Sequence, residues 1–93
     1  MSYFAVTTFH PEIPRQRTIG ILTNMMEAHK LIIENVGDIY ENGYYPNVVI
    51  EELTYGFYPM VMNSYHYKWD FDADKYRACA AIKTDIYMWA IIG

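Results

Sequence analysis

At 93 residues the chain has room for one hydrophobic core, so residues 1–93 read as a single domain. A net charge of −4 excludes bulk attraction to duplex nucleic acid or to an anionic membrane surface. No apolar run reaches the roughly 18 residues of a membrane-spanning helix, and the single cysteine, Cys79, cannot close an internal disulfide.

The N-terminus, MSYFAVTTFHPE, has neither the basic region nor the long apolar region of a secretion signal. With the lone cysteine, this predicts a cytoplasmic protein. Tyr3 to Phe9 is rich in β-branched and aromatic residues and reads as the first strand. Pro11 and Pro14 interrupt it, and Arg17 to Leu22 reads as a second strand, antiparallel to the first.

In the next segment Met25, Ala28, Ile32, Val36 and Ile39 recur at helical spacing, with charged residues on the other side. Asn24 three residues before Glu27 is a capping arrangement, with the Thr23 hydroxyl as the rival cap. The spacing predicts a helix from about 25 to 36 or 41, ended early by Gly37 or late by Gly43. Val48 to Leu53 reads as the third strand, followed by a turn around Gly56 and Pro59. Residues 61–71 alternate, placing Val61, Tyr65, Tyr67 and Trp69 on one face and Met62, Ser64, His66 and Lys68 on the other.

The segment DADKYRACAAI predicts a short helix opened by Asp72 or Asp74, and residues 84–93 either a fifth strand or a docking tail. This order, β-β-α-β-β, predicts an α+β fold: an antiparallel or mixed sheet of four to five strands with one main amphipathic helix. One helix covers one face. Aromatics make up 17% of the chain, with 10 tyrosines, which is more ring surface than a small globule hides. A homo-oligomer, with a second copy on the other face, is therefore expected.

Chemistry of the nucleophilic kind has little support. His10, His29, His66 and Cys79 sit in no catalytic motif, and no GxSxG, HExxH, phosphate-binding loop or dinucleotide fingerprint occurs. Asp70, Asp72 and Asp74 imitate a calcium loop, but Lys75 stands where glycine is needed and Ala81 where glutamate is needed. No catalytic residue, metal site or cofactor is predicted.

Binding chemistry has more. Arg15 and Arg17 stand behind the two prolines, where a stiff loop lowers the ordering cost of a ligand. Glu12 is the nearby acid that would neutralise them instead. Lys68, Lys75 and Arg77 interleave with Tyr65, Tyr67, Trp69 and Tyr76, a mixture suited to phosphates and bases. Tyr44, Tyr45, Tyr55, Phe57 and Tyr58 form a third aromatic group.

The run EIPRQRTIG…GDIYENGYYPNVVIEE…GFYP resembles a family of small proteins from Firmicutes and their phages, across roughly residues 10 to 60. That family carries no established catalytic motif to transfer. In size, acidity and aromatic content the chain is also similar to phage counter-defence proteins that sequester cyclic-nucleotide signals as oligomeric sponges. The expected function is non-catalytic binding of an anionic nucleotide-type molecule. Arg15 and Arg17 would hold phosphate, Tyr65, Tyr67, Trp69, Tyr55 or Tyr58 would stack on bases, and Lys68, Lys75 and Arg77 would be further cations. The alternative is an interaction module whose acidic helix face, Glu27, Glu34, Asp38 and Glu41, contacts a basic partner.

Overall fold

The computed structural model describes residues 2–13, 15–56, 58–82, 84 and 86–91. Pro14, expected to stiffen the loop, and Phe57, of the third aromatic group, lie outside the described residues. The elements are β1 (Ser2–His10), β2 (Arg15–Leu22), α1 (Met25–Ile33), β3 (Asn47–Thr54), β4 (Val61–Asp70) and β5 (Lys75–Cys79). They form an α+β fold in which one five-stranded sheet runs in the order β2-β1-β3-β4-β5 and every neighbouring pair is antiparallel.

The helix begins where expected: Asn24 Oδ1 accepts the Glu27 amide at 3.1 Å. It ends sooner than periodicity predicts. Asn35, Gly37 and Asp38 adopt left-handed backbone, which stops helical hydrogen bonding. Asn tolerates that conformation because its short side chain bonds locally. Here Asn35 Oδ1 accepts the Tyr40 amide and its Nδ2 donates to Glu41. Residues 36–45 therefore form a compact loop.

Alternation along the strands divides the sheet into two faces. Val6, Val48, Ile50, Tyr67, Trp69 and Tyr76 point toward α1 and pack with Ala28, Ile32 and Ile39. Tyr40 stacks on Trp69 with ring centroids 4.0 Å apart, and the Tyr76 hydroxyl donates to the Tyr45 carbonyl. His29 Nδ1 and the Tyr67 hydroxyl share a 2.7 Å hydrogen bond.

Three expectations are corrected. Residues 75–79 form β5 rather than a helix, because Tyr76 and Arg77 pair with Trp69 and Lys68 across a hairpin. Asp70 supports its turn by accepting the amides of Asp72 and Ala73. A register shift after Glu52 sets Val61 opposite Leu53, so Val61 packs on the face away from Tyr67. That second face, bearing Ala5, Phe9, Val49 and Leu53, is covered by the chain's own C-terminal segment, without recourse to another copy. Trp89 stacks on Phe9 at 3.9 Å. The amides of Trp89 and Ala90 donate to the two oxygens of Glu51, the Gln16 side chain donates to the Trp89 carbonyl, and the Ile91 amide donates to Thr18 Oγ1. No described helix is long and apolar enough to cross a membrane.

Candidate functional site

Arg15 and Arg17 open β2 and oppose His10 and Thr8 of β1. Being two apart on a strand, they share a face, the one that carries α1. Arg17 lines a cleft of about 350 Å3 between β2 and the 36–42 loop, together with Ile19, Gly20, Leu31, Ile39 and Asn42. Gly20 makes room for it. A Cβ there would meet only Leu22 Cδ1, at 3.6 Å, so the missing side chain leaves space that no backbone fills. Arg15 sits at the rim, its guanidinium 5.0 Å from the Tyr45 ring centroid and 3.5 Å from the Gly43 carbonyl it donates to.

Glu12 does not neutralise this pair. Among the described residues the ion pairs are Lys30–Glu34 and Arg77–Asp70, so neither Arg15 nor Arg17 is matched to a carboxylate. The amides at the start of α1 do not reach the cleft either. α1 starts after Leu22, at the Phe4 end of β2, whereas Arg17 lies at the Thr8 end beside the helix's last turns.

The remaining candidates do not converge on the cleft. Tyr67 and Trp69 are buried under α1, and their neighbour Tyr65 is half-covered on the same face. Lys68 and Arg77 are cross-strand partners on the opposite face, next to the Asp70–Lys75 pair. The rings and cations of β4 and β5 that alternate in sequence thus point to opposite sides of the sheet. Arg77 is committed to Asp70, with its Nε 2.7 Å from Oδ2. The Ala73 amide above all, with the Asp72 amide and Arg77, holds the Asp70 carboxyl below its ordinary range despite some opposing desolvation. β2 and β5 are the two edges of the sheet, four strand spacings or about 19 Å apart. Tyr55 faces Tyr3 across 5.6 Å in a separate, apolar hollow with Ile21 and Pro59, at the other end of β2 from Arg17, and Tyr58 is exposed nearby in sequence. Tyr45 carries the ring that Arg15 touches, and its neighbour Tyr44 is 67% exposed.

Two features escape a sequence-level search. Gly20 is the first: an interior strand glycine is a signal for close approach or a cavity. Glu51 is the second. The alternation of Val49, Glu51 and Leu53 puts a carboxylate between two apolar side chains on one face, where it is fully buried. Of the three histidines, His66 is buried there as well, and burial lowers its pKa.

Compared with protein-family models, curated proteins and solved structures, the chain matches none. Function therefore has to be read from the geometry of the cleft.

Proposed function

We propose that the protein is a non-catalytic binding module that captures a small anionic molecule of the nucleotide type in the Arg17 cleft. The observation that carries this is Arg17 itself: a guanidinium lining a walled cleft of about 350 Å3 with no described carboxylate to neutralise it. Guanidinium is the side chain best matched to phosphate oxygens. The aliphatic walls Val6, Ile19, Leu31, Val36 and Ile39 suit a sugar or other apolar body. At about 30 Å3 per water in the liquid, the volume has room for roughly a dozen water-sized groups, the scale of a sugar phosphate. The base then lies outside, against the exposed Tyr44 ring, with Arg15 as the second cation. A cyclic dinucleotide would extend well beyond one cleft and would call on a second chain, in keeping with the oligomeric sponges that the chain resembles in profile. Among the described residues, the cleft lining holds no general base or nucleophile, which supports binding over turnover.

The cation faces the carbonyl end of α1, which favours Arg17 there and weakens any anion that does not contact it. Binding should therefore depend steeply on Arg17. Thermal melts with AMP, a cyclic dinucleotide and inorganic phosphate test this. A ligand at 100 times its Kd stabilises by about 2.7 kcal/mol, a rise of about 10 °C or more for a chain of this size. Arg17→Ala should abolish the rise while leaving the unliganded midpoint nearly unchanged. If none of these anions moves the midpoint, or if Arg17→Ala leaves the shift intact, the proposal fails. The acidic-face alternative is weakened by the short helix: Asp38 and Glu41 lie in the loop after α1, Glu34 is paired with Lys30, and Glu41 accepts from Asn35.

A further inference from the structure

β2 is the longer of the two sheet edges. From Gln16 to Leu22 its backbone bonds only to β1 among the described residues, so its outward N–H and C=O groups stand unpaired. The opposite edge is guarded: β5 has five residues and carries Lys75 and Arg77. β2 has eight residues, and its Ile19 and Ile21 are 41% and 55% exposed. An edge of that kind is a template for a further strand.

Beside it runs a trough. The Arg17 cleft and a second hollow of about 260 Å3, which reaches Leu22 and Glu27, share Leu31 and Val36, so the two join between α1 and β2. From Arg17 to Leu22 the strand covers about 17 Å. An edge strand flanked by a helix suits an extended peptide: main-chain hydrogen bonds hold it, and the hollows sort its alternate side chains. Charge gives the trough a direction. Arg15 and Arg17 are exposed at one end and paired with no described carboxylate, whereas Glu27 stands at the other end.

We propose that β2 receives an extended acidic peptide from another protein as a sixth strand. Two alternate carboxylates lie opposite Arg15 and Arg17, and an apolar side chain enters the hollow of Leu22, Leu31 and Val36. Every neighbouring pair in the sheet is antiparallel, and the added strand continues that pattern. Val6 opposes Gly20 while Thr7 opposes Thr18, so a bulge at Ile19 interrupts the ladder and main-chain pairing rests on Arg15 to Thr18. A second copy of this chain is a poorer occupant. β2 contains no acid and β5 carries two cations, so either edge of a copy would bring like charge or none to the arginines. The inference does not rest on the nucleotide reading, because the edge is bare whatever fills the cleft.

The probe is the acetylated, amidated peptide TLTITETE, whose two glutamates fall opposite Arg15 and Arg17 when it pairs antiparallel. Titrated into the full chain and followed by amide NMR, it should give saturable shifts centred on residues 15–18 and slow their hydrogen exchange. TLTITKTK should bind at least about tenfold more weakly, and N-methylation of the acidic half should abolish binding. Arg15→Glu should reverse the preference between the two peptides. Absence of shifts on β2, equal binding of both peptides, or indifference to N-methylation would overturn the proposal. So would a full chain that sediments as a dimer with these amides already protected, which places a second copy on the edge. Should Arg15→Glu fail to fold, the peptide comparison on the unaltered chain decides by itself. Peptide binding by a chain that ignores AMP and phosphate supports this inference and sinks the nucleotide reading, while AMP binding without peptide binding does the reverse.

Discussion

Glu51 shows how one residue ties a terminus to a sheet. A carboxylate removed from water is expensive unless hydrogen bonds replace its hydration. Glu51 obtains two, from the Trp89 and Ala90 amides at 2.9 and 2.8 Å. Glutamine at this position keeps one acceptor and turns an NH2 group toward the other amide. Glu51→Gln should cost about 1–3 kcal/mol. Hydrogen exchange would show why: the Trp89 and Ala90 amides, protected in the parent, should exchange quickly in the variant. Unchanged protection would mean that packing alone holds the tail. The pH dependence follows from the same neighbourhood. Burial raises Glu51 above its ordinary 4.5, with the tail amides pulling it partly back down, so its contribution to stability is complete below 4.5 and is lost as pH rises through the raised value. Burial lowers His66 from 6.5, so its contribution is complete above 6.5 and is lost as pH falls. Between pH 4.5 and 6.5 the two oppose each other. Urea titrations across that window should separate them. Glu51→Gln should steepen the loss on acidification, while His66→Phe should remove it and leave stability rising as pH falls.

Among the elements, those whose apolar residues follow one clear period were legible in the sequence. Four strands lie within about two residues of where alternation puts them, and Asn24 caps α1 as its spacing implies. The failures have separate physical causes. The 72–82 segment is alanine-rich, but burying Tyr76 against Trp69 across a hairpin outweighs local helix preference. The helix loses its last turn because Asn35 bonds locally in a left-handed conformation, a choice that apolar periodicity does not register. The candidate site was legible in part. The two arginines share a face of β2 but only Arg17 lines the cleft, the cations and rings of β4 and β5 are segregated by period-two alternation, and the cleft's aliphatic walls come from four separate elements. Gly20 gives an element-level test. Its backbone does not need positive φ, and an added Cβ finds ordinary contact, so Gly20→Ala should stabilise β2 by about 0.5–1 kcal/mol. The larger Gly20→Val should occupy the cleft and weaken anion binding about tenfold without unfolding the chain. Calorimetry on both separates room in the cleft from strength of the strand, and an unchanged affinity in Gly20→Val would place the anion elsewhere.

At the scale of the whole molecule, the question is where so many rings go. The fold buries Phe9, Tyr67, Trp69, Tyr76 and Trp89, which form its two cores on either side of the sheet. Others, including Tyr44, Tyr55, Phe71 and Tyr87, remain largely exposed on loops and on the tail. The tail changes what this excess means. Without it, Ala5, Phe9, Val49 and Leu53 would form an open apolar face at the sheet's centre, of the kind that drives association. Truncation after Cys79 removes Trp89 and the groups that satisfy Glu51, while leaving β1 to β5 and α1 intact. The loss of Trp89 packing alone should cost about 3 kcal/mol, a large share of the stability of a domain this small. The truncated chain should therefore bind a hydrophobic dye strongly and sediment as larger, concentration-dependent species than the full chain at the same concentration. A single Trp89→Ala substitution should give an intermediate result. If the truncated chain sediments as the full chain does and takes up no dye, the second face needs no cover, and the stacking of Trp89 on Phe9 contributes nothing to keeping the chain apart from its copies.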